Sequence, residues 1–216
     1  FNPLVQQQIA EGGRAVFVRS NALFYHHNGV FEAICKVSDI PMTLQGAAEH
    51  NIQNALGVVG LSKALGLSNK AIVSGLMSFG SDAQDNPGRG NIYQLKGCQV
   101  IVDFAHNEHG MKAVVNMARQ MPAKKYIAMF GHAGDRSDQE LYALTDAVLE
   151  LNAELYIPVE VEKYLRGREL NEISTLVKQY MLRKNTPASH IQLAGSALEG
   201  TKLALQHASP GDVILL

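Results

Sequence analysis

The sequence predicts an α/β fold: a Rossmann-like, mostly parallel sheet with helices on both faces, preceded by a small α+β element. Two observations predict it. From Asn91 onward, short apolar runs alternate with helix-length segments, and repeated crossovers of that length require parallel pairing. The central runs, such as Val100-Ile101-Val102, are continuously apolar rather than alternating, as strands covered on both faces are.

The elements follow in order. Ala15 to Arg19, Leu23 to His26 and Val30 to Val37 read as three short strands, with His27-Asn28-Gly29 supplying the positive-φ turn of a hairpin. After Pro41 the pattern turns helical, with Ala48, Ile52, Ala55, Leu56, Val59 and Leu65 on one stripe and Gly66 as the stop. A second helix is expected from about Asn69 to Phe79. Gly80 to Gly90 is dense in Gly, Asp, Asn, Ser and Pro and marks a junction. The chain therefore divides into residues 1–85 and 86–216. The second part reads as strands Asn91 to Leu95 and Gln99 to Asp103, helix Gly110 to Gln120, strand Lys125 to Phe130 and helix Asp138 to Leu151. Strand Glu154 to Pro158, helix Asn171 to Met181, strand Ile191 to Leu193, helix Ser196 to His207 and strand Val213 to Leu216 complete it.

Composition narrows the function classes. A chain of 216 residues suffices for one large domain or two small ones. A net charge of -1 offers no field for nucleic acid and no polybasic patch for a membrane surface. No apolar run approaches the roughly 20 residues of a membrane span, and no signal-like segment opens the chain, so a cytoplasmic location is expected. The cysteines, Cys35 and Cys98, lack zinc-site spacing and fit a reducing compartment. Opening at Phe1 and stopping at Leu216 directly after a strand, the chain reads as a piece of something longer.

Three polar loops are expected to converge where ligands sit in an open α/β sheet, at the carboxyl ends of its strands. Asp103 follows Val100-Ile101-Val102 and can accept hydrogen bonds from sugar hydroxyls, or merely cap the next helix. His106 can orient a phosphate or shuttle a proton, or serve as a local hydrogen-bonding group. Arg89, exposed by Pro87-Gly88, carries the planar donor fork suited to phosphate or ribose; a solvated loop arginine is the alternative. Gly131, Gly134 and Asp135-Arg136 form a glycine-relieved turn through which backbone N–H groups can approach a ligand, although short glycine turns after strands are common.

Elsewhere, Asn51 and Asn54 lie at i,i+3 at a helix start, where paired amides suit a purine edge or serve as caps. Glu160, Glu162, Arg166, Arg168 and Glu169 cluster around Tyr164, and such acids can select a cationic substrate group or simply form a solvated loop. There is no Gly-x-x-x-x-Gly-Lys-Ser/Thr loop, no Gly-x-Gly-x-x-Gly after a strand, no serine elbow and no His-x-x-x-His. P-loop, dinucleotide, hydrolase and metalloprotease readings therefore lack a carrier in this chain.

Taken together, Glu49-His50-Asn51-Ile52-Gln53-Asn54-Ala55, Asn86-Pro87-Gly88-Arg89, Val102-Asp103-Phe104-Ala105-His106-Asn107 and Gly131-His132-Ala133-Gly134-Asp135-Arg136 resemble the Mur ligase superfamily, with the motifs in family order. The resemblance covers roughly Asp39 to the end. Asp39-Ile40-Pro41-Met42-Thr43-Leu44-Gln45-Gly46-Ala47-Ala48, the Asn-Pro-Gly-Arg junction and Tyr164-Leu165-Arg166-Gly167-Arg168-Glu169 are most similar to the C-terminal half of the cyanophycin synthetases.

The resemblance implies an ATP-dependent amide-forming ligase working through an acyl phosphate, with residues 1–85 completing an ATP-binding central domain and 86–216 forming the C-terminal domain. It implies ATP and Mg2+ as cofactors, with the metal ligands and phosphate loop upstream of Phe1, so that this piece alone is expected to be inactive. The implied partners are an amino acid, arginine favoured, and a carboxylate acceptor peptide, with no nucleic acid or membrane; a homo-oligomer is compatible. Carried over by motif position, Asn51, Asn54, Arg89 and Asp103 bind nucleotide, and His106 and Asp135 stand as catalytic candidates. From charge and strand-end position, Glu160, Glu162 and Arg166 are assigned to substrate, and no metal ligand is assigned. Glu108 stands where the family often has Pro, which changes the turn and adds negative charge near the expected phosphates. A peptidoglycan-precursor Mur ligase and a non-catalytic Mur-like binding module are the alternatives.

Overall fold

The computed structural model describes residues 2–80 and 83–216, and its backbone divides into two compact units, Phe1–Ser81 and Asp82–Leu216. Residues 81 and 82 of the glycine-rich junction lie outside the described residues.

The first unit opens with α1 (Pro3–Ala10), capped by the Asn2 side chain. This helix buries none of its residues, so it has no apolar stripe by which the sequence could announce it. Strands β1 (Ala15–Arg19), β2 (Ala22–His27) and β3 (Val30–Lys36) form an antiparallel meander, with Asn28 and Gly29 at φ 49° and 78° in the expected hairpin turn. Two helices follow, α2 (Glu49–Ala64) and α3 (Asn69–Ser78). Leu23, Tyr25, Ile34, Ala55, Val59 and Ile72 belong to the core of this unit. Leu65 is not part of that stripe: it is 80% exposed, because α2 ends at Ala64 and Gly66 turns the chain at φ 80°.

The second unit contains β4 (Asn91–Leu95), β5 (Cys98–Val102), α4 (Glu108–Arg119), β6 (Tyr126–Gly131), α5 (Asp138–Leu149), β7 (Leu155–Val159), α6 (Glu172–Arg183), α7 (Ala197–His207) and β8 (Val213–Leu215). The sheet order is β4-β5-β8-β6-β7, parallel except for β4, which pairs antiparallel with β5 as a hairpin edge. The expected strand at Ile191 to Leu193 is absent; only single bridges, Tyr156 to Ile191 and Val159 to Ala194, form along β7.

Alternation of side chains splits the sheet core between two faces. Val100, Ile127, Met129, Ile157 and Ile214 pack with Ala204 of α7. On the other face lie Ile101, Ala128, Phe130 and Tyr156, and the Tyr156 hydroxyl donates to the Leu149 carbonyl of α5 at 3.3 Å. The chain steps outward from β5 past β8 to β6 and β7, then returns through α7 to insert β8 between β5 and β6. That reversal makes the carboxyl edge beside β8 a topological switch point, which opens a crevice there.

Candidate functional site

Strand β5 ends at Val102, and Asp103 is the first residue beyond it, half-buried. The Asn86–Arg89 turn is folded onto this strand end by backbone and amide bonds. Phe104 N–H donates to the Gly88 carbonyl at 2.8 Å. The buried Asn91 side chain accepts from Gly88 N–H at 2.6 Å and donates to the Asn86 carbonyl at 3.0 Å. Gly88 and Gly90 adopt φ 69° and 64°, where a side chain would be strained. Two expected nucleotide residues thereby come together: the Arg89 guanidinium lies 5.8 Å from the Phe104 ring centre, and a Cβ on Gly90 would sit 3.9 Å from Asp103 Oδ2.

The helix cap at this edge is Asn107, whose side chain accepts from Gly110 N–H at 2.8 Å, so the capping role open to Asp103 is filled by another residue. His106 is exposed and donates from Nδ1 to the Phe104 carbonyl at 3.1 Å. Glu108 starts α4, where the helix dipole favours an acid, and pairs with Lys112 at 2.7 Å. Its charge is thus largely answered within the same helix.

The loop after β6 is tied to the segment after β7. Gly134 N–H donates to the Tyr164 carbonyl at 2.8 Å, and the Leu165 carbonyl fills the space a Cβ on Gly134 would need. Arg168 spans the seam: it donates to the Gly134 carbonyl at 3.3 Å and the Arg136 carbonyl at 3.0 Å, and pairs with Asp138 at 2.7 Å and Glu172 at 3.0 Å. Asp135 and Arg166, read separately as catalytic and substrate residues, bond each other at 2.5 Å. The Arg166 guanidinium holds the Asp135 carboxyl below its ordinary pKa.

The expected acid cluster does not assemble. Glu160 follows β7 at 2% exposure and accepts from the Ser174 hydroxyl of α6 at 3.1 Å, while Glu162 is exposed. Its burial comes from α6 packing beside β7, a contact that charge pattern alone does not encode. In the first unit, Asn51 donates to the Met42 carbonyl at 2.8 Å and accepts from Asn54 at 3.2 Å. Asn51 is therefore committed to holding the helix start, and Asn54 is the exposed amide of the pair.

At the carboxyl ends of the four parallel strands lies a cavity of about 250 Å3, walled by Met129, Phe130, Val159, Val161, Tyr164 and Leu215 and reached by Asp103, His106 and His132. His132 also borders a second cavity of about 500 Å3 between α4 and α5. It is 8% exposed, its ring sits edge-on to Phe130 at 5.7 Å, and its Nε2 has no hydrogen-bond partner among the described residues. Burial pushes its pKa down to about 4, so the imidazole is neutral at pH 7. His132 and Arg168 were not assigned a site role from the sequence. The signals present are their places inside two of the quoted motifs, His132 directly after the apolar run of β6 and Arg168 after Arg166-Gly167. Among the described residues no group of three or more His, Cys, Asp or Glu side chains could hold a metal ion, and no helix is long and apolar enough to cross a membrane.

Residues 88–216 match the family model described as Mur ligase, glutamate ligase domain. A cyanophycin synthetase of Synechocystis sp. is 28% identical over 189 residues, covering 88% of this chain and 21% of that protein. A UDP-N-acetylmuramoyl-L-alanyl-D-glutamate--2,6-diaminopimelate ligase of Clostridium botulinum is 34% identical over 124 residues, 55% of this chain and 25% of that protein. Among solved structures, E. coli FolC in complex with ADP superposes with a TM-score of 0.64 at 18% identity, covering 94% of this chain and 42% of that one. The chain thus spans about a fifth to a quarter of the length of the curated relatives named here.

Proposed function

The chain belongs to the Mur ligase family, and on that premise we propose that it is part of an ATP-dependent carboxylate–amine ligase of the cyanophycin-synthetase type. The observation that carries this reading is the convergence of the Asn86–Arg89 turn and the Asp103–Asn107 loop on one strand end, the loop and Gly88-Arg89 lying within the matched residues 88–216. Ligands of open α/β sheets bind at such an edge.

The residues fit a nucleotide. Arg89 offers a planar donor fork for phosphate or ribose oxygens, and Asp103 offers an acceptor for ribose hydroxyls. Within the first unit taken by itself, Asn54 has the amide chemistry for a purine edge, and its amide donates to the Asn51 side chain at 3.2 Å. His106, exposed beside the start of α4, would orient phosphate oxygens. Asp135 is held as a carboxylate by Arg166, so it would act as an anchor for the loop or as a charged contact rather than as a proton donor at neutral pH. When bound, ATP would supply the phosphate that turns a carboxylate oxygen into a leaving group. Magnesium ligands are proposed to lie in other parts of the enzyme.

The test is ADP formation by the full-length enzyme given ATP, an aspartate-containing peptide and single amino acids. ADP formation that needs both acceptor and amine supports the ligase. Turnover only with a UDP-muramoyl peptide would favour the peptidoglycan-precursor reading, for which the 34% identical Clostridium botulinum relative speaks. Nucleotide binding without amine-dependent turnover would instead support a binding module.

A further inference from the structure

We propose that Phe104 is a positioning residue of the nucleotide site: its ring holds the Arg89 guanidinium ready for phosphate or ribose oxygens before the nucleotide arrives. The proposal rests on the nucleotide reading of Arg89 and Asp103, and adds the residue that aims one of them.

Phe104 follows Asp103 beyond the end of β5 and is 54% exposed, although it also lines the cavity there. A half-exposed phenylalanine is ordinary by itself. Here three groups of the site meet on this one residue. Its N–H donates to the Gly88 carbonyl at 2.8 Å, and its carbonyl accepts from His106 Nδ1 at 3.1 Å. Its ring centre lies 5.8 Å from the Arg89 guanidinium and 5.5 Å from the His106 ring. The two hydrogen bonds use the backbone of Phe104, so a substitution leaves their groups in place. The ring contacts belong to the side chain alone.

Arg89 needs such a hold. It is exposed and lies between Gly88 and Gly90, at φ 69° and 64°, so neither neighbour offers a side chain to pack against it. A long side chain that is ordered only when the ligand binds subtracts that lost rotamer freedom from affinity. An aromatic face attracts a guanidinium within about 6 Å of the ring centre, and contact through the face leaves the N–H groups free to donate. The attraction strengthens when a bound nucleotide shields the pair from water. At 5.8 Å the pair sits at the outer end of that range, so the expected effect is several-fold rather than a hundredfold.

The experiment is a double-mutant cycle on ADP binding, read by isothermal titration of the full-length protein and its Phe104→Leu, Phe104→Tyr, Arg89→Ala and Phe104→Leu/Arg89→Ala variants. Phe104→Leu keeps an apolar side chain and removes the π face, and is expected to weaken ADP binding by about three- to tenfold. Phe104→Tyr keeps the face and is expected to stay within about twofold of the wild type. On the Arg89→Ala background, Phe104→Leu is expected to change affinity by less than about twofold, because the ring then has no guanidinium to hold. Unchanged affinity of Phe104→Leu overturns the proposal, as does a loss that tyrosine fails to restore or that persists in full on the Arg89→Ala background. If Arg89→Ala binds more weakly while Phe104→Leu matches the wild type, the positioning role falls and the nucleotide reading stands. A wild type that binds no ADP, or an Arg89→Ala variant that binds it equally well, overturns both. If Phe104→Leu does not fold, Phe104→Met, equally ringless, takes its place in the cycle.

Discussion

Replacing Arg168 with alanine tests whether the loops beneath the cavity are held by one side chain. Its guanidinium, 20% exposed, donates to the Gly134 and Arg136 carbonyls and pairs with Asp138 and Glu172. Hydrogen bonds from a charged donor contribute about 1.5–3 kcal/mol each when buried. The two carbonyls here sit in loops that water can reach in part, which lowers their share. Asp138 and Glu172 are 50% and 42% exposed, so solvent screening leaves their ion pairs only a minor share. The sum is a loss of about 2–4 kcal/mol for Arg168→Ala. Arg168→Lys would restore the charge but not the planar fork, and less than half of the loss. Urea unfolding followed by circular dichroism measures both variants. A loss under about 0.5 kcal/mol for alanine, or full rescue by lysine, would refute the bridging role.

Other perturbations follow from the same geometry. Gly134→Ala directs a methyl at the Leu165 carbonyl and is expected to cost about 1–3 kcal/mol by overpacking, read in the same unfolding experiment. Glu108→Pro is expected to change stability by less than about 1 kcal/mol: Asn107 is already extended at φ -146° and ψ 164°, the first helical position tolerates proline, and only an exposed pair with Lys112 is lost. His132 has its folded pKa below its ordinary value, so the unfolded chain takes up the proton first. Its contribution is whole above about pH 6.5 and is lost as pH falls toward 4, on the order of 3 kcal/mol at most. His132→Leu should flatten that part of the stability–pH curve, and an unchanged curve would show that the imidazole is not buried neutral.

The sheet was legible because its signal is local: continuous apolar runs, helical segments of crossover length and the Asn28-Gly29 turn each lie within a few residues. The Ile191 to Leu193 strand failed for a different reason, since only two bridges along β7 distinguish it from a loop. Arg89 and Asp103 stand in motifs visible in the sequence, whereas the buried Asn91 that holds the Asn86–Gly88 turn lies just outside the quoted motif. The pairing of Asp135 with Arg166 and the burial of Glu160 are long-range events, set by how the segment after β7 and helix α6 pack. A run of charges does not reveal which of them will face solvent, a partner or the core. His132 hides for the same reason: only the assembled strand ends make a cavity around it.

The most direct measurement is ADP affinity of the full-length protein beside its Arg89→Ala and Asp103→Ala variants. The account predicts that the wild type binds ADP and that each variant binds at least about tenfold more weakly with an unaltered unfolding midpoint. Equal affinity in all three proteins would contradict it.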